Sequence, residues 1–460
     1  MATRLTPEQL QVKTLGERHV PSPLNLSTHV GDGLAHYVPD GTRILYKVAG
    51  ETETDFDAHL FLERAGPREA LYFDPKKTRV GVVTCGGLSP GVNNVIRSMV
   101  LEMTFQYGVR DIIGFRYGFR GMNPARGYET IPLTYELVRT IHNEGGSVLG
   151  TSRGAEDVSV IVDQIQALGI DVLFCIGGDG TLRGAHAIWE EVEKRRAKIA
   201  IVGIPKTIDN DIPFVYKTFG FDTAVEVVRQ AVDGAHVEAI CTVNGVGLVK
   251  VMGRDSGFIA AYGSLASMQV NFCLVPEVPF DLHGEGGLLD CLERRLLGHG
   301  HAVIVVAEGA GQQFFPDQSR EMDASGNVVP REIGIYLRDE IAAYLRKRGH
   351  MFGMKYIDPS YMIRSVKANA GDAIFCDNLA RNAVHAGMAG KTDVVIGLWH
   401  GIYTHVPIPL TVRGRKKIHP ESYLWRSVVA ATGQPMVMRS HTSRSGAAKS
   451  GAEPKPRQLK

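Results

Sequence analysis

The sequence predicts an α/β protein with two open, mostly parallel sheets, and hence two domains with a cleft between them. Three observations carry this. Short apolar runs recur along the chain, among them "DVLFCIGG", "KIAIVGIP", "GVGLVKVMG" and "HAVIVVAEG". They are apolar at successive positions, as strands buried on both faces are. Helical patterns lie between them, and that alternation calls for right-handed crossovers. The length of 460 residues allows two or three domains.

In chain order, residues 1–77 read as a loop-rich N-terminal extension packed on the main body. After it come the expected strands "VGVVTCGG", "DIIGFR", "SVLGTS", "DVLFCIGG" and "KIAIVGIP", then "GVGLVKVMG", "NFCLVPE", "HAVIVVAEG" and "DVVIGLW". In "TLRGAHAIWEEVEKRR", Leu182, Ala185, Trp189 and Val192 share one helical face. Glu190 and Glu191 precede Lys194 and Arg195 by four residues, a favourable solvent-side spacing. "DTAVEVVRQAVDGA" and "GDAIFCDNLARNAVHAG" also read as helices. The predicted layout is two Rossmann-like domains, one over 78–222 plus about 365–415 and one over 223–364. A C-terminal segment (416–439) and a polar tail (440–460), expected to be disordered, complete it.

The chain is 44% hydrophobic and 22% charged, with a net charge of +2, so no global field favours nucleic acid. A small-molecule substrate is expected. The six cysteines are scattered without a C-x-x-C pair, which suits a reducing cytosol. The N-terminus lacks the apolar core of a signal peptide, and no run reaches the roughly 20 apolar residues of a membrane span. A cytoplasmic protein is expected.

Two strand-to-helix junctions have the chemistry of phosphate loops. In "VVTCGGLSPGVNNVIR", Gly86, Gly87 and Gly91 allow close backbone approach, and a helix beginning near Val92 presents its free N–H groups. An ordinary turn accounts for this loop equally well. In "VLFCIGGDGTLRGAH", Gly177, Gly178 and Gly180 surround Asp179, and Thr181 is placed to cap the next helix. A carboxylate among phosphates needs a cation between them, so Asp179 is expected to serve Mg²⁺. Neither loop is a Walker A sequence or a dinucleotide fingerprint.

"PKTIDND" follows the run "KIAIVGI", at the end of a parallel strand where ligands bind in open sheets. Asp209 and Asp211 can divide the work of a base and its metal-side partner, Thr207 adds a hydroxyl, and Lys206 a cation. An Asx-type turn is the simpler alternative. Together with the two loops, the set suits phosphoryl transfer to an alcohol.

The chain resembles the 6-phosphofructokinases. "TCGGLSPGVN", "GGDGT", "PKTIDND", "VMGRDSGFIA", "VVAEG" and "YMIR" occur in that family's order between about Val80 and the region after Trp399. The extension and "PKTIDND" look most like the long ATP-dependent branch of plants, kinetoplastids and some bacteria. The resemblance implies transfer from ATP to fructose 6-phosphate, giving fructose 1,6-bisphosphate. It also implies Mg²⁺ as cofactor, effector regulation and a homo-oligomer, dimer or tetramer, with no nucleic-acid or membrane partner. Gly86, Arg153, Gly154, Gly178, Asp179, Gly180 and Thr181 would line the ATP site, with Asp179 on the metal. Asp209 would be the general base, with Thr207, Asp211 and Lys206 beside it. Thr207, Ile208 and Asp209 would meet the sugar, as would Met252, Gly253, Arg254 and Glu308. Arg254 would also steady the transferring phosphoryl group. Tyr361, Met362, Ile363 and Arg364 would close on the sugar, with Arg364 and Lys355 gripping its 6-phosphate.

Short bacterial members carry an arginine before M-G-R that serves a neighbouring subunit's sugar site. Here "CTVNGVGLVK" has nothing basic between Thr242 and Val249. Either that sharing is lost or Lys355 supplies the charge. Arg97 falls near an effector position of those members, yet reads equally as a helix-surface residue. His400 and His405 read as structural.

The donor is the open question. Diphosphate-using members commonly carry aspartate at the position of Gly180 and lysine at that of Lys206. Glycine at 180 leaves room for the α-phosphate, and an extra lysine does not exclude a nucleotide, so ATP is expected. A diphosphate-dependent enzyme is the alternative, followed by a non-catalytic nucleotide sensor. Lipid and NAD kinases share G-G-D-G-[ST] but lack counterparts of "PKTIDND" and "YMIR".

Overall fold

The computed structural model describes residues 5–29, 31–50, 59–315, 321–322 and 328–440. The expected disordered tail lies outside the described residues beyond Ser440. The chain divides into two compact units. The first comprises Met1–Ala224, Arg320–Val329 and Tyr361–Lys416, the second Val225–Ser319, Pro330–Ser360 and Lys417–Lys460.

The strands of the two main sheets are, in chain order, β1 (Arg43–Leu45), β2 (Phe61–Arg64), β3 (Arg79–Thr84), β4 (Asp111–Phe115), β5 (Ile131–Pro132), β6 (Val172–Gly177), β7 (Ala200–Pro205), β8 (Gly245–Val251), β9 (Phe272–Leu274), β10 (His301–Ala307), β11 (Gly353–Ile357), β12 (Val394–Trp399) and β13 (Ile402–Pro407). The main helices are α1 (Val92–Leu101), α2 (Asp179–Lys194), α3 (Phe221–Ile240), α4 (Phe258–Ser267), α5 (Ser360–Ser365) and α6 (Ala370–Met388).

The first unit holds a nine-stranded sheet in the order β1-β2-β13-β12-β7-β6-β3-β4-β5. Its centre, β12-β7-β6-β3-β4, is parallel. The flanking pairs are antiparallel. Every residue of β6 and β7 is buried. Two apolar clusters cover the sheet, one built on α1 and α6, the other on α2 and the helix Val158–Ala167. The second unit holds the all-parallel sheet β9-β10-β8-β11. All seven residues of β8 are buried. The α/β architecture with mostly parallel sheets is the one expected.

Two expectations need correction, and one strand lies outside those expected. "SVLGTS" is not a strand. Gly145 and Gly146 precede it and Gly150 interrupts it, two of them at positive φ (Gly146 +79°, Gly150 +66°), and β5 has taken the place beside β4. Those residues line the first glycine-rich loop instead: Thr84 Oγ1 donates to the Gly150 carbonyl (2.6 Å) and the Gly86 N–H to the Ser152 carbonyl (2.9 Å). Thr181 does not cap α2. The helix already begins at Asp179 with Gly178 as N-cap, leaving Thr181 buried in the first turn. The strand β13 was not foreseen, because its hairpin turn is His400–Gly401. Both residues have positive φ (+49° and +78°), which suits the twist of a two-residue hairpin.

On α2 the buried positions are Leu182, Ala185, Ile188 and Val192. Trp189 is half-buried beneath the Lys13 ammonium, 3.3 Å from its ring centroid. Glu191 pairs with Arg195 (2.8 Å) and Lys194 (3.2 Å), whereas Glu190 faces His186. The N-terminal residues extend the sheet through β1 and β2. Arg68, 2% exposed, binds Glu63 (3.0 Å) and Asp40 (3.0 Å). Glu63 also meets Lys391 (2.9 Å) and His405 (3.0 Å). Burial alone would raise the Glu63 carboxyl, but His405 and Lys391 hold it well below the usual carboxylate range. His405 is thus structural, as expected.

Candidate functional site

In the first unit, the ends of β3, β6 and β7 bring the two glycine-rich loops and the acidic loop together. Gly86 has φ +85°, and a Cβ there would lie 3.7 Å from Lys206 Nζ and 3.8 Å from Thr181 Oγ1. A Cβ on Gly177 would strike Thr181 Oγ1 at 2.1 Å, and one on Gly178 would meet the Lys206 carbonyl at 3.2 Å. Gly86 is fixed as glycine by its positive φ, and Gly177 and Gly178 by neighbours that leave no room for a side chain. Gly180 differs: a Cβ there would meet nothing within 4 Å.

The ammonium of Lys206 is buried and donates to the Gly87 carbonyl. Burial pulls Lys206 down to about 8, Cys85 opposing and Arg153 and Arg364 adding to it. A Cβ on Gly87 would come within 3.2 Å of Arg153 Nη2 and 3.8 Å of Arg364 Nη1. Three cations therefore gather at the first glycine-rich loop, an arrangement able to hold phosphate oxygens. The N-terminus of α1 opens from the same loop at Gly91, whose φ is +96°.

The segment 206–211 is folded by its own side chains. The Asp209 N–H donates to Thr207 Oγ1 (3.1 Å), and Thr207 Oγ1 donates to Asp211 Oδ1 (3.2 Å). Asn210 sits at φ +52° and accepts from the Thr218 N–H (3.2 Å). The turn role therefore falls to the asparagine between the two acids. Ile208 is buried, Asp209 half-buried and Asp211 buried.

Asp179 stands at the head of α2, where the helix dipole favours a carboxylate. It pairs with Arg183. Burial pushes its carboxyl up and Asp211 adds to this, while Arg183 and Arg415 oppose it. Its Oδ1 is buried without a hydrogen-bond partner. Among the described residues, no three His, Cys, Asp or Glu side chains gather into a metal cage. One or two carboxylates with phosphate and water are the usual setting for Mg²⁺, so the oxygen donors present fit that ion.

Sequence reasoning missed Arg415 and Lys416. Arg415 pairs with Asp211 and lies 3.6 Å from Asp179. The Lys416 N–H donates to the Asp211 carbonyl (2.7 Å). Its ammonium reaches the carbonyls of Val215 (2.8 Å) and Tyr216 (2.9 Å) and Asn210 Oδ1 (3.1 Å). The only signal was a basic run, "RGRKK", which resembles a solvated surface stretch.

In the second unit, Met252, Gly253 and Arg254 follow β8. Gly253 has φ +126°, and a Cβ there would strike the Ser256 carbonyl at 2.5 Å. Glu308 follows the neighbouring β10. Burial raises its carboxyl, opposed by Lys250 and Arg254. Lys250, also missed, is buried in β8 and pairs with Asp358 (2.8 Å) and Glu332 (3.6 Å). Lys355 on β11 pairs with Glu238 (3.0 Å). Back in the first unit, Tyr361 and Met362 on α5 are exposed and Ile363 is buried, while the Arg364 guanidinium lies 4.9 Å from the Tyr361 ring centroid. Gly154, also in the first unit, lies in a loop at φ +102°.

The phosphofructokinase family model matches residues 79–387. The ATP-dependent 6-phosphofructokinase of Borreliella burgdorferi is 47% identical over 446 residues, covering 95% of this chain and all of that protein. The chain belongs to the phosphofructokinase family. ATP-dependent 6-phosphofructokinase 7 of Arabidopsis thaliana is 48% identical over 374 residues, 81% of this chain and 76% of that protein. The resemblance to the long branch is therefore found in both a bacterial and a plant relative. Among solved structures, a pyrophosphate-dependent phosphofructokinase from Marinobacter aquaeolei superposes with a TM-score of 0.62 at 20% identity, covering 77% of this chain and 91% of that one. It shares the phosphofructokinase fold. No helix among the described residues is long and apolar enough to cross a membrane.

Proposed function

We propose that this phosphofructokinase transfers the γ-phosphoryl group of ATP to the 1-hydroxyl of fructose 6-phosphate, giving ADP and fructose 1,6-bisphosphate. The observation that carries the reading is the meeting of both glycine-rich loops with the Lys206–Asp211 segment in one unit. Names of relatives alike over most of their length support ATP as donor.

In this reading the first unit binds the nucleotide. Backbone N–H groups at the head of α2 meet phosphate oxygens, with Gly86 leaving room for them and Arg153, Gly154 and Thr181 helping. Asp209 takes the proton from the attacking hydroxyl, and Thr207 and Asp211 fix its loop. Asp179, with Asp211 nearby, would hold Mg²⁺, which when bound neutralises phosphate charge. Lys206 adds positive charge beside Gly87. Arg254 steadies the transferring group, Met252, Gly253 and Glu308 receive the sugar, and Lys355 and Arg364 its 6-phosphate. Tyr361, Met362 and Ile363 close on it. The protein works in the cytoplasm as a homo-oligomer under effector control.

Lys206 favours a second reading, with diphosphate as donor. Gly180 weighs against it, since its open side leaves room for a nucleotide. The test offers ATP and Mg²⁺ with a panel of sugar phosphates, including sedoheptulose 7-phosphate. Fructose 1,6-bisphosphate as the main product supports the proposal; turnover of other acceptors alone overturns it.

A further inference from the structure

The guanidinium of Arg415 pairs with Asp211 and lies 3.6 Å from Asp179. The Asp179 side chain is 10% exposed, and its Oδ1 is buried without a partner. We infer that Arg415 is a built-in counter-ion for this acid pair, occupying the charge position of a divalent cation until metal arrives with its nucleotide. This rests on the nucleotide-site reading above.

Three features support it. First, the two acids are near enough to repel one another, and one guanidinium reaches both: Arg415 pairs with Asp211 and lies 3.6 Å from Asp179. A cation shared by two carboxylates offsets that repulsion, as a metal ion would. Second, Arg415 is held in place from behind. The next residue, Lys416, is tied through its backbone to Asp211 and through its ammonium to Val215 and Tyr216. Third, Arg183 reaches Asp179 from one turn further along α2 and is half exposed. It lies on the same helix as Asp179, whereas Arg415 comes from a segment 204 residues away from Asp211.

A consequence is selectivity for metal bound to nucleotide over bare metal. A bare divalent ion must displace Arg415 without compensation. A nucleotide-bound ion brings phosphate oxygens that can receive the released guanidinium. Arg415 is thus a positioning residue that sets the order of loading.

The test is Mn²⁺ binding to the full-length protein without nucleotide or sugar, read by electron paramagnetic resonance of free Mn²⁺. Since no turnover is involved, failure here leaves the proposed reaction untouched, and failure of that reaction leaves this binding difference measurable. Arg415→Met, and Arg415→Gln in case the first does not fold, are expected to bind bare Mn²⁺ about tenfold more tightly than wild type. Arg415→Lys, which keeps a cation, is expected to stay near wild type. Arg183→Met is the control for a charge touching Asp179 alone and is expected to have a smaller effect. Unchanged or weaker Mn²⁺ binding in the folded Met or Gln variant overturns the inference, as does an equal gain in Arg415→Lys.

Discussion

The buried ammonium of Lys206 donates to the carbonyl of Gly87. A lysine at the end of β7 thereby holds the glycine-rich loop that follows β3. It carries a charge into the site and fixes a backbone at once, so its protonation state has consequences for both activity and folding.

Burial brings Lys206 down to about 8 from its ordinary value of 10.5. Because the unfolded chain holds this proton more tightly, stability from this group rises with pH between about 8 and 10.5. Activity runs the other way: loss of the proton removes a phosphate partner, so kcat/KM for ATP should fall above about pH 8. Lys206→Met should have a lower plateau and lack this alkaline limb. A pH profile of both proteins checks it; an identical limb in the variant contradicts the assignment.

Gly180 should accept aspartate without cost to folding, since a Cβ there meets no protein atom within 4 Å. Gly180→Asp should therefore keep the melting temperature of wild type. KM for ATP should rise by about tenfold or more, because the new carboxylate meets phosphate charge. Unchanged ATP use in a folded variant would end the steric and electrostatic argument for the donor.

Asp209→Asn should retain ATP binding within a few-fold and lose turnover by about 10²-fold or more. The backbone bond from Asp209 to Thr207 does not need the carboxylate, so the loop should survive. Calorimetric binding beside steady-state rates separates the outcomes. Near wild-type turnover would mean another group takes the proton.

Arg68 is the buried hub joining β2 to the N-terminal segment, binding Glu63 and Asp40. Arg68→Met should destabilise the protein by about 3 kcal/mol, because it leaves buried carboxylate charge less well compensated. Chemical denaturation of both proteins measures this. A loss below about 1 kcal/mol would place the network with weak surface pairs.

The parallel centre of the first sheet was legible because its strands are buried on both faces and read as continuous apolar runs, β6 and β7 most clearly. The antiparallel edge was not. β13 alternates weakly, and its turn uses a histidine at positive φ, where asparagine or aspartate would have signalled a hairpin. "SVLGTS" misled because the apolar pair Val148 and Leu149, with Thr151 beyond, has the composition of a short strand, while its hydrogen bonds go to the glycine-rich loop. At the site, residues within motifs were legible because glycines and paired acids are unusual in sequence. Arg415 was not, since a basic residue more than 200 positions from Asp211 acquires its role only when the fold brings the two together. Lys250 was hidden in the same way, as a charge at the end of an apolar strand whose partners Asp358 and Glu332 come from distant segments.

The central claim is that this phosphofructokinase uses ATP although it carries Lys206. Initial rates on one preparation, with fructose 6-phosphate and Mg²⁺ held constant and either ATP or diphosphate as donor, test it most directly. The account predicts rapid formation of fructose 1,6-bisphosphate with ATP and little or none with diphosphate. Rapid turnover with diphosphate and none with ATP would contradict it.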